Sequence, residues 1–267
     1  MKTYVIHPIV TGYVKVNKAT YIFHHSTHAY HDAQGAMYLP ATAFLLEGGS
    51  QRIMVDTGMA STEIADKYHH PGDYQPEGFA IHEQLAKRGV RPDDIDIVIL
   101  THLHWDHCYH LRKFCKARVY VSRKEYEFAK APIPLYYKSY EYPALGLTPQ
   151  YDGVPFALVD GEAEITEGIS VYPSPGHSPG HQTVVVNTEA GQYHLCGDAI
   201  YTKENLLAIP EINYTVTPPA RYQDVVALWK SIEDLKKRSK DAKFVLGSHD
   251  DAMDELYKQG ASIGKAK

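Results

Sequence analysis

The densest chemistry in this chain is the stretch Thr101-His-Leu-His-Trp-Asp-His107. There His102, His104, Asp106 and His107 place four metal-ligand side chains directly after the apolar run Ile95 to Leu100. Such a run reads as a buried parallel strand. If the chain leaves it still extended, His102 and His104 point to one side, because side chains alternate along extended backbone. Asp106 and His107 then lie a turn further on and face a second point nearby. The layout suits two metal ions a few ångströms apart rather than one. Imidazole prefers zinc and similar borderline ions, and the carboxylate adds a hard donor. The plain alternative is a His-rich surface loop, and residues downstream argue against it.

Three more ligand-type residues each follow an expected strand. His177 lies in the Gly/Pro-punctuated loop Pro173-Ser-Pro-Gly-His-Ser-Pro-Gly-His181, after a strand ending near Tyr172. Asp198 follows Gln192 to Cys196, and His249 follows Lys243 to Leu246. Ligands at strand ends are held rigidly yet open to a cleft, where α/β proteins commonly place their sites.

The elements that must position them alternate between strand and helix. Strands are expected at Tyr4 to Ile9, Thr42 to Glu47, Arg52 to Asp56, Ile95 to Leu100, Arg118 to Ser122, Phe156 to Val159, Ile169 to Tyr172, Thr183 to Asn187, Gln192 to Cys196 and Lys243 to Leu246. Helices are expected over Phe79 to Arg88 and Ala220 to Arg238, the second with Pro218-Pro219 at its start. Ser122 reads as an N-cap, with Glu125 completing a capping box. The segment Ala131 to Pro155 is rich in Pro and Tyr with little periodicity. Pattern alone supports a mixed α/β fold. No repeat or linker composition divides the 267 residues, which reads as one domain, 1–267.

The motif His-x-His-x-Asp-His, followed in order by a lone His, a lone Asp and a last His, resembles the metallo-β-lactamase superfamily. Within it the chain looks most similar to the N-acyl homoserine lactone lactonases. Val55-Asp-Thr-Gly-Met59, Ser174 to Gln182 and Asp198-Ala-Ile-Tyr-Thr-Lys-Glu-Asn205 carry that closer likeness. The resemblance implies a four-layer αβ/βα sandwich, two mixed β-sheets with helices on the outer faces. It implies two divalent ions: His102, His104 and His177 on one, Asp106, His107 and His249 on the other, and Asp198 bridging. Zinc is the default, with manganese, iron or cobalt compatible with this N/O donor set. Two like-charged ions about 3.5–4 Å apart need a shared carboxylate and a shared hydroxide between them. The implied reaction is attack of that hydroxide on the lactone carbonyl. Tyr201, three residues after Asp198, is then the donor to the carbonyl oxygen. Asp106 or Asp198 passes a proton to the departing alkoxide, so Tyr201, Asp106 and Asp198 form the expected catalytic set. The chain departs from the family at Cys108-Tyr-His-Leu111, where a small Gly-rich turn is usual, and a changed pocket wall is expected there.

Other residues receive lesser roles. Asp56 is expected to orient a ligand histidine, or to form an Asx turn. His181 reads as structural, Asp250 as a surface residue or a support for a ligand, and Cys108 and Cys196 as small buried residues. The tyrosines Tyr136, Tyr137, Tyr140 and Tyr142 read equally well as a lid over an acyl chain and as a packed surface loop. The His-dense segment Phe23 to His31 reads as a loop near the pocket or a homodimer contact ahead of a third metal site.

Composition excludes several classes. A net charge of -5 with no basic footprint argues against a nucleic-acid partner, and so against the nuclease branches of the superfamily. Three cysteines make no disulfide framework, which fits a cytoplasmic protein. The first residues lack a signal-peptide core, and no run is long enough to span a membrane. The expected partner is a small-molecule lactone. A different small lactone, ester or thioester is the second reading. The short stretch after His249 counts against glutathione thioesterases with their added helical domain. The absence of a cysteine ligand counts against β-lactams. A binding protein without catalysis would be expected to have lost ligands, and none is missing.

Overall fold

Eleven strands form two sheets in the computed structural model, which describes residues 2–17 and 35–266. The first sheet runs β1 (Val5–Asn17), β2 (Ala36–Gly48), β3 (Gln51–Val55), β4 (Ile97–Ile99), β5 (Arg118–Ser122) and β6 (Phe156–Val159) in spatial order. Its first three strands pair antiparallel, and β3 to β6 pair parallel. The second sheet has the order β11 (Val245–Leu246), β10 (Gly191–Leu195), β9 (Gln182–Thr188), β8 (Ile169–Pro173) and β7 (Ala163–Thr166), with only β10 and β11 parallel. Both sheets are therefore mixed. The His-dense segment Phe23 to His31 lies outside the described residues.

Strand alternation builds the layers. Phe44, Leu46, Ile53, Val55, Ile97 and Ile99 of the first sheet meet Ile169, Val171, Val184, Val186 and Leu195 of the second in one buried core. The intervening residues Ala43, Leu45, Met54 and Val98 face the other way, against helix α1 (Ile81–Lys87) and the segment around α3 (Arg123–Lys130). On the far side, α4 (Val225–Ser239) packs Leu228, Ile232 and Leu235 on Cys196 and Val245 of the second sheet. Each such aliphatic side chain contributes roughly 1.5–3 kcal/mol on burial. The result is the expected helix–sheet–sheet–helix sandwich. No helix among the described residues is long and apolar enough to cross a membrane.

Several local expectations fail for stated reasons. Ser122 makes no side-chain cap bond, and the other half of the capping box fails because Glu125 turns inward to four buried donors instead of back to the helix start. Helix α4 begins at Val225, not Ala220. Asp224 caps it through the N–H groups of Val226 and Ala227. Residues before it are drawn away by Gly176, whose carbonyl accepts the N–H groups of Gln223 and Asp224. Strand β7 and a closing helix α5 (Asp251–Lys258) have no counterpart in the sequence reading. Asp250, expected at the surface or in support of a ligand, is buried and caps α5 by accepting the N–H of Ala252.

A buried and a half-buried histidine give the fold an acid limit. His194 on β10 accepts the Tyr172 hydroxyl, and burial holds its pKa down to about 4. Burial, then the neighbouring His82, holds His110 down to about 4 as well. Between the ordinary histidine value near 6.5 and about 4, the unfolded chain takes up protons that the native state refuses. Stability therefore falls as pH drops through that window and levels off below it, by about 1 kcal/mol per pH unit per group. Urea unfolding is expected to give a free energy at pH 5 lower than at pH 7.5, and His194→Gln is expected to flatten that slope. An equal stability at both pH values contradicts the assignment.

Candidate metal centre

All seven ligand-type residues of the sequence reading converge at one edge of the sandwich. His102 and His104 leave β4 in extended backbone, and their rings lie 4.5 Å apart between centroids. Helix α2 (Trp105–Cys108) then carries Asp106 and His107. His177 comes from the loop after β8, Asp198 from the turn after β10 and His249 from the turn after β11. Their ligand atoms form three overlapping groups, each within 4.8 Å: His102, His104, His177; His102, His107, Asp198; and Asp106, His107, His249.

Asp198 lies between the two ends. Its Oδ1 stands 3.0 Å from His107 Nε2 and 3.3 Å from His249 Nε2, and its Oδ2 stands 3.3 Å from His177 Nε2. Asp106 is held more loosely, with Oδ2 3.6 Å from His249 Nε2 and 4.0 Å from His107 Nε2.

The outer nitrogens of the rings fix their tautomers. His107 Nδ1–H donates to Asp56 Oδ2 at 2.8 Å, and His249 Nδ1–H donates to the Pro40 carbonyl at 2.8 Å. His177 Nδ1–H reaches the Arg221 carbonyl at 3.3 Å. The Thr101 hydroxyl donates to Asp56, so the bond between Thr101 Oγ1 and His102 Nδ1 takes its proton from the ring. In each case Nε2 is left as a lone pair aimed at the centre, the arrangement outer partners impose on metal-binding histidines. Asp56 thus does what its motif predicted, from a backbone φ of 59°. His181 supports Asp198 from behind: Asp198 N–H donates to its Nε2, and Ser174 Oγ meets its Nδ1. Burial holds His181 down to about 3, so it stays neutral.

The residues fit a divalent cation. His102 Nε2, His107 Nε2, His249 Nε2 and Asp198 Oδ1 are buried without a hydrogen-bond partner. Leaving such atoms unpaired costs about 1–3 kcal/mol each, which a cation among them removes. The electrostatics agree. Burial opposes charge on His107 and His249, yet Asp198 and Asp106 overcome it and raise both histidines. Asp198 is held well below the usual carboxylate range by His249, His107 and His177 against its own burial. The carboxylates therefore call for positive charge between these rings. Burial and the surrounding imidazoles hold His102 and His104 well below their ordinary value, as lone-pair donors require.

A cleft of about 500 Å³ opens onto His104, Asp106, His177 and Asp198. Its walls include Tyr136, Tyr222, Leu135 and Pro71, together with the polar His70 and Arg221. His69 stacks on Trp105 at 4.4 Å between centroids and borders the same cleft. Sequence reasoning passed over His69, His70, Arg221 and Tyr222, because it placed the last two in the helix expected from Ala220 and all four meet only through the fold. The tyrosine stretch divides between its two readings. Tyr136 lines the cleft, while Tyr140 is buried in the core. Cys108 to Leu111 does not line the cleft. Cys108 Sγ donates to the Leu103 carbonyl, and His110 turns its ring against His82. Tyr201 is fully buried, with its hydroxyl 3.5 Å from His177 Nδ1 and its ring against His249.

The model of the metallo-beta-lactamase superfamily matches residues 37–249. An N-acyl homoserine lactonase of Bacillus cereus is 32% identical over 176 residues, covering 62% of this chain and 66% of that protein. Another from Azorhizobium caulinodans is 31% identical, over 64% of this chain and 69% of that protein. The chain thus spans just under two thirds of the length of the first curated relatives it matches. Among solved structures, a quorum-quenching N-acyl homoserine lactone lactonase superposes with a TM-score of 0.74 at 25% identity, covering 98% of this chain and 99% of that one. A second, an N-acyl homoserine lactone hydrolase with N-hexanoyl-L-homoserine at its catalytic metal centre, shares the fold at 24% identity and a TM-score of 0.74, over 96% of each chain.

Proposed function

Since the chain belongs to the metallo-β-lactamase superfamily, we propose that it is a dinuclear metal-dependent hydrolase that opens the lactone ring of N-acyl homoserine lactones. The observation that carries this is the convergence of seven ligand-type residues around Asp198, each carboxylate oxygen facing a different half of the site. The names of the relatives support the substrate class.

His102, His104 and His177 would hold one ion, Asp106, His107 and His249 the other, with Asp198 shared between them. Two bound divalent ions supply a water acidic enough to act as nucleophile near neutral pH and a positive charge for the carbonyl oxygen. Zinc suits the five imidazoles, and manganese, iron or cobalt suit the same donors. The chain's own groups do the rest. Asp56 and the Pro40 and Arg221 carbonyls keep three of the imidazoles from turning, so the site needs little reorganisation as charge develops. Asp106 faces the cleft and is the less tightly held carboxylate, which suits it to take the proton of the attacking water and return it to the leaving ring oxygen. The balance is one water consumed, the ring C–O bond broken, and a free carboxylate and hydroxyl formed. Tyr136, Tyr222 and Leu135 give the acyl chain an apolar wall. We read the chain as one such domain, residues 1–267, and its three free thiols support a cytoplasmic location.

We keep Tyr201 as the O–H donor to the carbonyl oxygen on its place beside Asp198, although it is buried outside the cleft lining with its hydroxyl on the outer side of His177. Tyr201→Phe is expected to lower kcat about 100-fold with metal content unchanged, the scale of one lost oxyanion donor. A loss of metal without that selective fall in kcat would instead assign the hydroxyl to steadying His177.

Acid release from a panel of metal-loaded reactions tests the function. The panel takes N-acyl homoserine lactones of short to long chain, γ-butyrolactone, a thioester and a β-lactam. Preference for the acyl homoserine lactones is the expected result. Turnover confined to the other esters would move the protein to a neighbouring activity on the same centre.

A further inference from the structure

We propose that Glu125 is a positioning residue that sets the three-histidine half of the metal centre by tying together the loops that carry it. Glu125 is fully buried at the start of α3. The N–H of Leu103 and the hydroxyl of Tyr140 donate to its Oε1 at 3.1 and 2.9 Å. The hydroxyl of Ser178 and the N–H of Gly180 donate to its Oε2 at 2.7 and 3.1 Å. Leu103 lies between His102 and His104. Ser178 directly follows His177. The Tyr140 ring stands edge-on to His104, 4.7 Å between centroids.

One carboxylate therefore joins the loop after β4, the loop after β8 and the cover segment over His104. Loops from different sheets share no ladder; Gln182 donates to the Thr101 and Leu100 carbonyls behind the ligands, and Glu125 is the carboxylate that ties Leu103, between His102 and His104, to Ser178 beside His177. The chain comes close to make it: a Cβ at position 180 would lie 2.0 Å from the backbone nitrogen of Glu125, which only glycine permits. Burying a carboxylate is costly unless its lone pairs are filled, and here each oxygen receives two donors. An amide cannot replace it. Its NH2 would face the N–H of Leu103 or of Gly180, and both can only donate. The cost of holding this charge in the interior is met by fixing two loops at once.

The inference rests on the ligand assignment above, so its test uses no lactone. Cobalt(II) is titrated into metal-free full-length protein and followed by visible d–d absorption against a competing chelator. The unsubstituted protein is expected to take up two equivalents. Glu125→Gln is expected to keep one at unchanged affinity and to bind the other about 10–100-fold more weakly with altered bands, the usual scale for removing a ligand's supporting partner. Glu125→Asp, which keeps the charge, is expected to recover part of the loss. If Glu125→Gln does not fold, the double substitution Tyr140→Phe with Ser178→Ala, which leaves the carboxylate and removes two of its donors, carries the same expectation at smaller size. Two equivalents bound with unchanged affinity and spectrum would overturn the proposal. So would an equal loss of both, which marks a purely structural role. Fewer than two equivalents in the unsubstituted protein would overturn the ligand assignment itself, and Glu125's role with it.

Discussion

Asp198→Asn is expected to leave at most one tightly bound metal equivalent and to lower kcat/KM on N-acyl homoserine lactones about 1000-fold. The carboxylate is the shared element: its two oxygens stand within 3.0–3.3 Å of imidazole nitrogens from both halves of the site. An amide keeps the shape and removes the negative charge. Two divalent ions about 3.5–4 Å apart then repel without a compensating anion between them, and the weaker one leaves. A metal ion contributes several kcal/mol to transition-state stabilisation, and each 1.4 kcal/mol is tenfold in rate. Elemental analysis after gel filtration gives the stoichiometry, and acid release gives the rate. Full activity with two equivalents bound would remove Asp198 from the bridging role and the dinuclear mechanism with it. The substitution should spare the fold, since His181 binds Asp198 through its backbone N–H.

Gly176→Ala is expected to destabilise the protein by about 4 kcal/mol or more, at the exceptional end of single substitutions. Two physical reasons add. Gly176 sits at a φ of 132°, a conformation L side chains rarely adopt. Its new Cβ would fall 2.3 Å from the backbone nitrogen and Cα of Leu228 in α4. Helix backbone cannot give way as the end of a flexible side chain can. The Gly176 carbonyl also receives the N–H groups of Gln223 and Asp224, so any shift disturbs the α4 cap and the cleft wall at Arg221. For a chain of this size the melting temperature is expected to fall by about 10 °C. A melting temperature within a few degrees of the unsubstituted protein would show that the loop can relax without cost. A variant that remains folded is expected to lose affinity for the ion assigned to His177 in the proposal, because that residue is next in the chain.

The elements that carry a clear period were legible. The apolar run before the motif is β4, buried on both faces, and Arg118 to Ser122 and Phe156 to Val159 match β5 and β6. Phe79 to Arg88 contains α1, which starts two residues later and ends one earlier than expected. The errors occur where a local signal competes with a buried one. Ser122 and Glu125 have the letters of a capping box, worth about 1 kcal/mol at a helix end. Four interior donors outbid that, and nothing within a few residues of Glu125 announces them. Pro218-Pro219 suggested a helix start for the same reason: proline suits a first turn, but Gly176, far away in sequence, holds the chain out of the helix until Asp224.

The chemical character of the site was set by the sequence itself. The donor types, their order and their placement after apolar runs are local, and ligand identity decides which ions and which chemistry a site supports. The family resemblance added the pairing of ligands into two groups. The tertiary structure decided the rest. It aimed the Nε2 atoms of His107, His177 and His249 by occupying the outer nitrogen with a carboxylate or carbonyl from another segment, it set Asp198 between the halves, and it built the cleft wall from residues 70, 136 and 221–222, which the sequence scatters. Periodicity reports only how a segment buries its own faces. Which distant group will face a given side chain is a property of the packed loops, and it exists only once both sheets have closed on their common core.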